Sequence, residues 1–189
     1  MPLLPQEPFV FPDDLLTRPG TATDGDNSWW VLRTRPRAEK ALARQMLARD
    51  VAFFLPLHHR QWRSRGRLFS SFLPLFPGYL FLHGTPDAPQ AALKTNQVAQ
   101  IIAVPDQGQL LVDLRRVHQM IRTGVPLTPE ERLEPGTLVE IVSGPFAGMA
   151  GTLLRRGTQL RFLVEVKFLQ TGVSVEMEVG MFRPVSPSR

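Results

Sequence analysis

Residues 125–135 hold Pro126, Pro129 and Pro135 together with Glu130, Glu131 and Glu134, and this stretch divides whatever fold the chain adopts. Each proline removes a backbone donor and fixes φ, so neither a helix nor a central strand is expected to run through it. The composition is that of a linker, placed at residues 125–134. The chain beyond it differs in kind from the chain before it. Across 135–185, the runs 138–142, 161–168 and 173–179 alternate apolar and polar residues, and Gly144, Gly148, Gly151, Gly157 and Gly172 mark turns between them. About 50 residues of short strands with no helix predict a small all-β barrel. A unit of that size is marginal alone and suits an appended module.

The first part mixes periods. Trp29-Trp30-Val31-Leu32 has a strand pattern, and Thr34 with Pro36 then signals a helix that carries Ala38, Leu42, Gln45 and Met46 towards Asp50. Strand-like runs at 53–62 and 68–73 flank Arg63-Ser64-Arg65-Gly66-Arg67, a hairpin with a basic tip. A further strand, 79–83, follows Pro77-Gly78. Asp87 and Pro89 start a short helix, 98–104 is an apolar strand, and Asp113 caps a helix through Leu114, Val117 and Met120 or Ile121 that Gly124 ends. Residues 29–124 are therefore expected to form an antiparallel sheet flanked by helices, an α+β domain. Residues 1–28 read as a tail rich in proline and acid, in which Phe9, Val10, Phe11, Leu15 and Leu16 are apolar enough to pack. Residues 186–189 are the C-terminal end.

Composition removes several chemistries. The 189 residues include no cysteine, which excludes disulfide scaffolds, thiolate zinc sites and cysteine nucleophiles. No apolar run approaches the roughly 20 residues of a membrane span, and residues 1–11 lack the basic start of a secretory signal. His58 and His59 are adjacent and face opposite ways on a strand, so they do not make a two-ligand metal site. His83 and His118 lack a carboxylate or nucleophile at useful spacing. Glu176 and Glu178 share a strand face without acid–base context. No enzyme, metal or cofactor is expected. Charge, by contrast, is informative. Residues 29–83 carry ten basic groups against Glu39 and Asp50, whereas residues 1–28 carry one arginine against five acids. Lys40, Lys94 and Lys167 are the only lysines in the chain. Arginine is the better fork for phosphate, so a polyanionic partner fits.

Two motifs carry a resemblance. Gly144-Pro145-Phe146-Ala147-Gly148-Met149-Ala150-Gly151, after Gly136-Thr137-Leu138-Val139-Glu140-Ile141-Val142, resembles the KOW motif; here Gly148 and Gly151 are expected at positive φ. Leu75-Phe76-Pro77-Gly78-Tyr79-Leu80-Phe81 resembles the Phe-Pro-Gly-Tyr signature of the N-terminal domain of the bacterial NusG family. Trp29-Trp30, Pro56 and the basic hairpin fall at that family's separations, and the resemblance covers about 29–185. It implies a NusG-like N-terminal domain followed by an SH3-like KOW barrel. It also implies a transcription elongation or antitermination factor, cytoplasmic and monomeric, that binds the clamp of RNA polymerase and suppresses pausing.

Carried over residue by residue, the polymerase patch is Phe76, Pro77, Tyr79 and Phe81, edged by Arg33 where specialised paralogues place an aromatic. Arg35, Arg37, Arg63, Arg65 and Arg67 are the nucleic-acid contacts. Phe168 and Leu169 are the pair that docks on a ribosomal protein or a termination factor. Thr171 replaces a basic residue of housekeeping members, and with the acidic tail and Arg33 it leans towards antiterminator paralogues of the RfaH kind, although their His-Thr-rich motif is absent and Gln90-Ala91-Ala92-Leu93 stands nearby. The alternative reading is a ribosome- or RNA-binding KOW protein that does not contact polymerase.

Overall fold

The computed structural model describes residues 8–19, 25–130 and 136–185. In chain order the strands and helices are β1 (Val10–Phe11), β2 (Ser28–Thr34), α1 (Glu39–Leu47), β3 (Ala52–Phe54), β4 (Leu57–Ser64), β5 (Arg67–Pro74), β6 (Tyr79–Gly84), α2 (Ala88–Leu93), β7 (Val98–Ala103), α3 (Gln107–Arg122), β8 (Thr128–Glu130), β9 (Thr137–Ile141), β10 (Ala150–Arg156), β11 (Gln159–Val166), β12 (Thr171–Met177) and β13 (Phe182–Pro184). They fall into two compact units, Met1–Leu111 and Val112–Arg189.

The first unit is built on an antiparallel five-stranded sheet of order β1-β3-β6-β2-β7. Period two sorts its side chains. Leu32, Leu80 and Leu82 join the stripe Leu42, Ala43 and Met46 of α1, together with Ala88 and Ala92 of α2, in one core cluster. Trp29, Val31, Phe54 and Phe81 are also fully buried. The helix expected from Thr34 begins only at Glu39, because the Thr34 N–H is spent on the Gly78 carbonyl at 2.8 Å and Arg37 takes a left-handed φ of 61°. The single strand expected over 53–62 breaks at Pro56: β3 joins the large sheet, while β4 pairs only with β5. Part of the expected tail is structural, since β1 pairs with β3 and Leu15 and Leu16 are buried.

The second unit holds an antiparallel sheet of order β13-β9-β10-β11-β12-β8. Its β8 comes from residues expected to be linker: Gly172↔Glu130, Val173↔Pro129 and Ser174↔Thr128 place them on the edge of β12, where a proline is tolerated. The division between the two units falls inside α3. Asp113 sits within that helix and not at its cap. The cap is Asp106, whose Oδ1 accepts the Gln109 N–H at 2.8 Å. Gly124, at φ 71°, does follow the helix end. The rest of the expected linker and the 186–189 end lie outside the described residues.

Candidate functional site

The Phe76-Pro77-Gly78-Tyr79 segment is a tight turn with proline second and a positive-φ glycine third, the residues a type II turn requires. The Tyr79 N–H donates to the Phe76 carbonyl at 3.1 Å. Gly78 then ties three elements together. Its N–H donates to Glu39 Oε1 at 2.7 Å, and its carbonyl accepts the Thr34 N–H at 2.8 Å. Where the β2 end meets this turn, Arg33 pairs directly with Tyr79, so the two side chains share a face. Arg33 and Pro77 are exposed and Tyr79 is half-buried. Arg35 is exposed too, its guanidinium donating to Asn96 Oδ1 at 3.2 Å, and Arg37 is exposed on the loop into α1.

The other two rings of the expected patch are not surface. Phe81 is 0% exposed and Phe76 3%, and they meet edge-on with centroids 5.9 Å apart. Their place is core: Phe81 stands directly opposite Phe54 of β3 on the same sheet face, with ring centres 6.3 Å apart. The structure therefore sets Arg33 beside Tyr79 at the exposed Pro77 turn, with Arg35 and Arg37 exposed on the chain that follows β2, and it encloses Phe76 and Phe81 in the core.

The hairpin closes through Arg65 and Gly66, both at positive φ (49° and 75°), which is a two-residue type I′ geometry. Arg63, Arg65 and Arg67 are exposed as expected. Sequence reasoning missed Arg60, Trp62 and Phe69 on the same hairpin. The signal was available: a two-residue turn at Arg65-Gly66 forces Ser64 opposite Arg67 and hence Trp62 opposite Phe69.

In the second unit, Gly144 and Gly148 adopt φ 84° and 83°. The Gly148 N–H donates to the Ile141 carbonyl and the Ile141 N–H to the Met149 carbonyl, which folds the glycine-rich loop back on β9. Gly151 was expected at positive φ, but its conformation is ordinary. Its constraint is space: a Cβ there would meet the Leu163 carbonyl at 2.5 Å and the Phe162 ring at 2.6 Å. Phe168 and Leu169 lie half-buried on a 3₁₀ turn, Lys167–Leu169, so they are not closed core. Asp113 Oδ2 accepts the Lys167 N–H at 3.0 Å and fixes the start of that turn.

The histidines are dispersed. His59 packs on Phe72 and His83 on Trp29, with ring centres 5.1 and 5.0 Å apart. Burial, then the positive charge of Arg60 and of His59, lowers the His58 pKa; burial and Arg122 lower that of His118. Among the described residues, no group of three or more His, Cys, Asp or Glu is placed to hold a metal ion. No helix there is long and apolar enough to cross a membrane.

Comparison with known proteins adds a family. The family model described as "Transcription termination factor nusG" matches residues 27–121. A search of curated proteins finds no match. Among solved structures, the chain is similar to one described as "Domain interaction in Thermotoga maritima NusG", at 18% identity and a TM-score of 0.51, over 87% of this chain and 99% of that one. It also matches the "Crystal Structure of MjSpt4:Spt5 complex conformation B" at 17% identity and a TM-score of 0.25, over 85% of this chain and 99% of that one.

Proposed function

The chain belongs to the NusG family, whose members are non-enzymatic transcription factors that bind RNA polymerase, and from that premise we propose that it rides on the clamp of transcribing polymerase through the corner of Arg33, Pro77 and Tyr79. One observation carries this reading: the only tyrosine of the chain is half-exposed directly opposite an exposed arginine, on a turn pinned by Glu39 and Thr34. Tyrosine and arginine are the residue types enriched at protein–protein hot spots, and a fixed turn presents them at little entropic cost. A factor that binds the closed clamp better than the open one shifts polymerase towards elongation and suppresses pausing. The glycine-rich loop and strands of the second unit fit a KOW barrel, and Phe168 with Leu169 fits a docking pair for a second partner held at raised local concentration. That partner is a ribosomal protein or a termination factor. Arg33, which is exposed, and Thr171 favour an antiterminator for particular operons, working in the cytoplasm beside the nucleic acid.

The test is co-purification of RNA polymerase with the full chain. Tyr79→Ala and Arg33→Ala are each expected to weaken capture about ten-fold or more. Phe81→Ala is no probe of contact, because truncating a fully buried Phe costs about 3–5 kcal/mol of fold stability. Undiminished polymerase capture by both surface variants overturns the reading, and capture of ribosomal subunits without polymerase supports the RNA-binding alternative.

A further inference from the structure

The hairpin of β4 and β5 has a surface that phosphate contact alone does not explain. Residues 59–70 are all exposed, so its outer half projects from the unit. On one face, Trp62 and Phe69 stand directly opposite each other, 40% and 43% exposed, with ring centroids 5.8 Å apart and planes within 17°. Residues two apart on a strand share a face, so Arg60 and Arg67 stand on the same side as the rings. By register, Arg60 lies one step inward of the ring pair and Arg67, opposite Ser64, one step outward. Strand rise separates the two arginines by about 14 Å, with the rings midway. Arg63 and Leu68 occupy the other face, and Leu68 is 64% exposed. Not one Asp or Glu occurs between Asp50 and Asp87. Arg60, Arg63, Arg65 and Arg67 form no ion pair among the described residues.

An aliphatic cross-strand pair would zip the hairpin without leaving an indole face in water. Two nearly parallel rings between two uncompensated guanidinium groups match a different demand: a flat π-face to receive, with negative charge on either side of it. We propose that the Trp62–Phe69 face, with Arg60 and Arg67, is a stacking platform for unpaired bases of a single strand of nucleic acid. A base lies on the rings, and the two guanidinium groups take the phosphates that flank it. A duplex keeps its base faces inside its own stack and does not use the rings. The platform is independent of the polymerase corner, since it stands on the hairpin alone.

The experiment titrates the full chain with a short oligothymidylate and follows tryptophan emission and oligonucleotide anisotropy. Trp29 is fully buried and Trp30 half-buried, so quenching reports chiefly on Trp62. Trp62→Ala and Phe69→Ala are each expected to weaken binding about ten-fold. Trp62→Phe stays within a few-fold of the parent whereas Trp62→Leu does not, because leucine is apolar without a π-face. Arg60→Gln combined with Arg67→Gln lowers the slope of log affinity against log salt by about 1.4. Tighter binding of oligouridylate than of oligothymidylate keeps the platform and identifies RNA as its strand. Equal binding by the Phe and Leu variants, duplex bound as tightly without quenching, or quenching by self-association in the absence of oligonucleotide would each overturn it. Retained Trp29 emission in every variant shows that the fold is intact.

Discussion

Glu39 illustrates how a single side chain positions a surface it does not belong to. It is buried in the first turn of α1, and its carboxylate holds the Gly78 N–H at 2.7 Å, so the Tyr79 turn depends on it. Glu39→Ala leaves that donor unmet and is expected to cost about 1–3 kcal/mol. Glu39→Gln keeps an acceptor oxygen and should cost less, a ranking that chemical denaturation measures directly. His118 sets a pH dependence. It is buried, and burial first and Arg122 second hold its pKa below the ordinary 6.5, so the native state keeps it neutral. The unfolded chain takes up the proton at higher pH than the native one. Its contribution is therefore complete above about pH 6.5 and falls as the pH drops from there towards the native pKa. His58 has the same sign. The denaturant midpoint is expected to fall between about pH 7 and pH 5, and His118→Gln should shrink that fall.

At the scale of elements, patterning located strands well and misplaced their ends for identifiable reasons. Trp29 to Leu32, 79–83 and 98–104 were legible because an apolar run bounded by Pro or Gly has few other uses. The run 53–62 looked continuous because periodicity does not register what Pro56 does to hydrogen bonding; the structure divides it between two sheets. Asp113 looked like a cap because it precedes an apolar helical stripe, yet its carboxylate serves the Lys167 N–H, a partner 54 residues away that no local pattern discloses. Tyr79 and Phe81 share a face, as period two requires, but only the fold decides that one ring is buried and the other half-exposed. The residues expected to link the domains supply β8 because Glu130 has partners: Arg156 at 3.4 Å, Arg161 at 3.7 Å, and the hydroxyl of fully buried Ser174. Truncation as Glu130→Ala strands the Arg161 charge, which is mostly buried. It is expected to cost about 2–4 kcal/mol, read as a lower thermal midpoint and faster amide exchange in β8 and β12.

Over the whole molecule, the decisive quantity is where the charge lies rather than its net value of +5. That distribution needs no coordinates and was fully legible, whereas the faces that carry it had to wait for strand register. Residues 29–83 hold an excess of eight positive charges, against four net negative charges across 1–28, so the basic charge is concentrated in one segment of the sequence. The consequence is thermodynamic. A single strand releases about 0.7 counterions for each phosphate neutralised, so Arg60, Arg63, Arg65 and Arg67 acting together predict a slope near −3 in log affinity against log salt. Removing Arg63 and Arg65 as glutamines should bring it to about −1.4 while leaving the tryptophan quenching in place, since Arg63 lies on the opposite face and Arg65 in the turn. Arg155→Gln, an exposed change of the same charge in the second unit, should leave the slope unaltered. Equal effects from all three substitutions would mean that binding follows total charge, and that the hairpin has no privileged part in it.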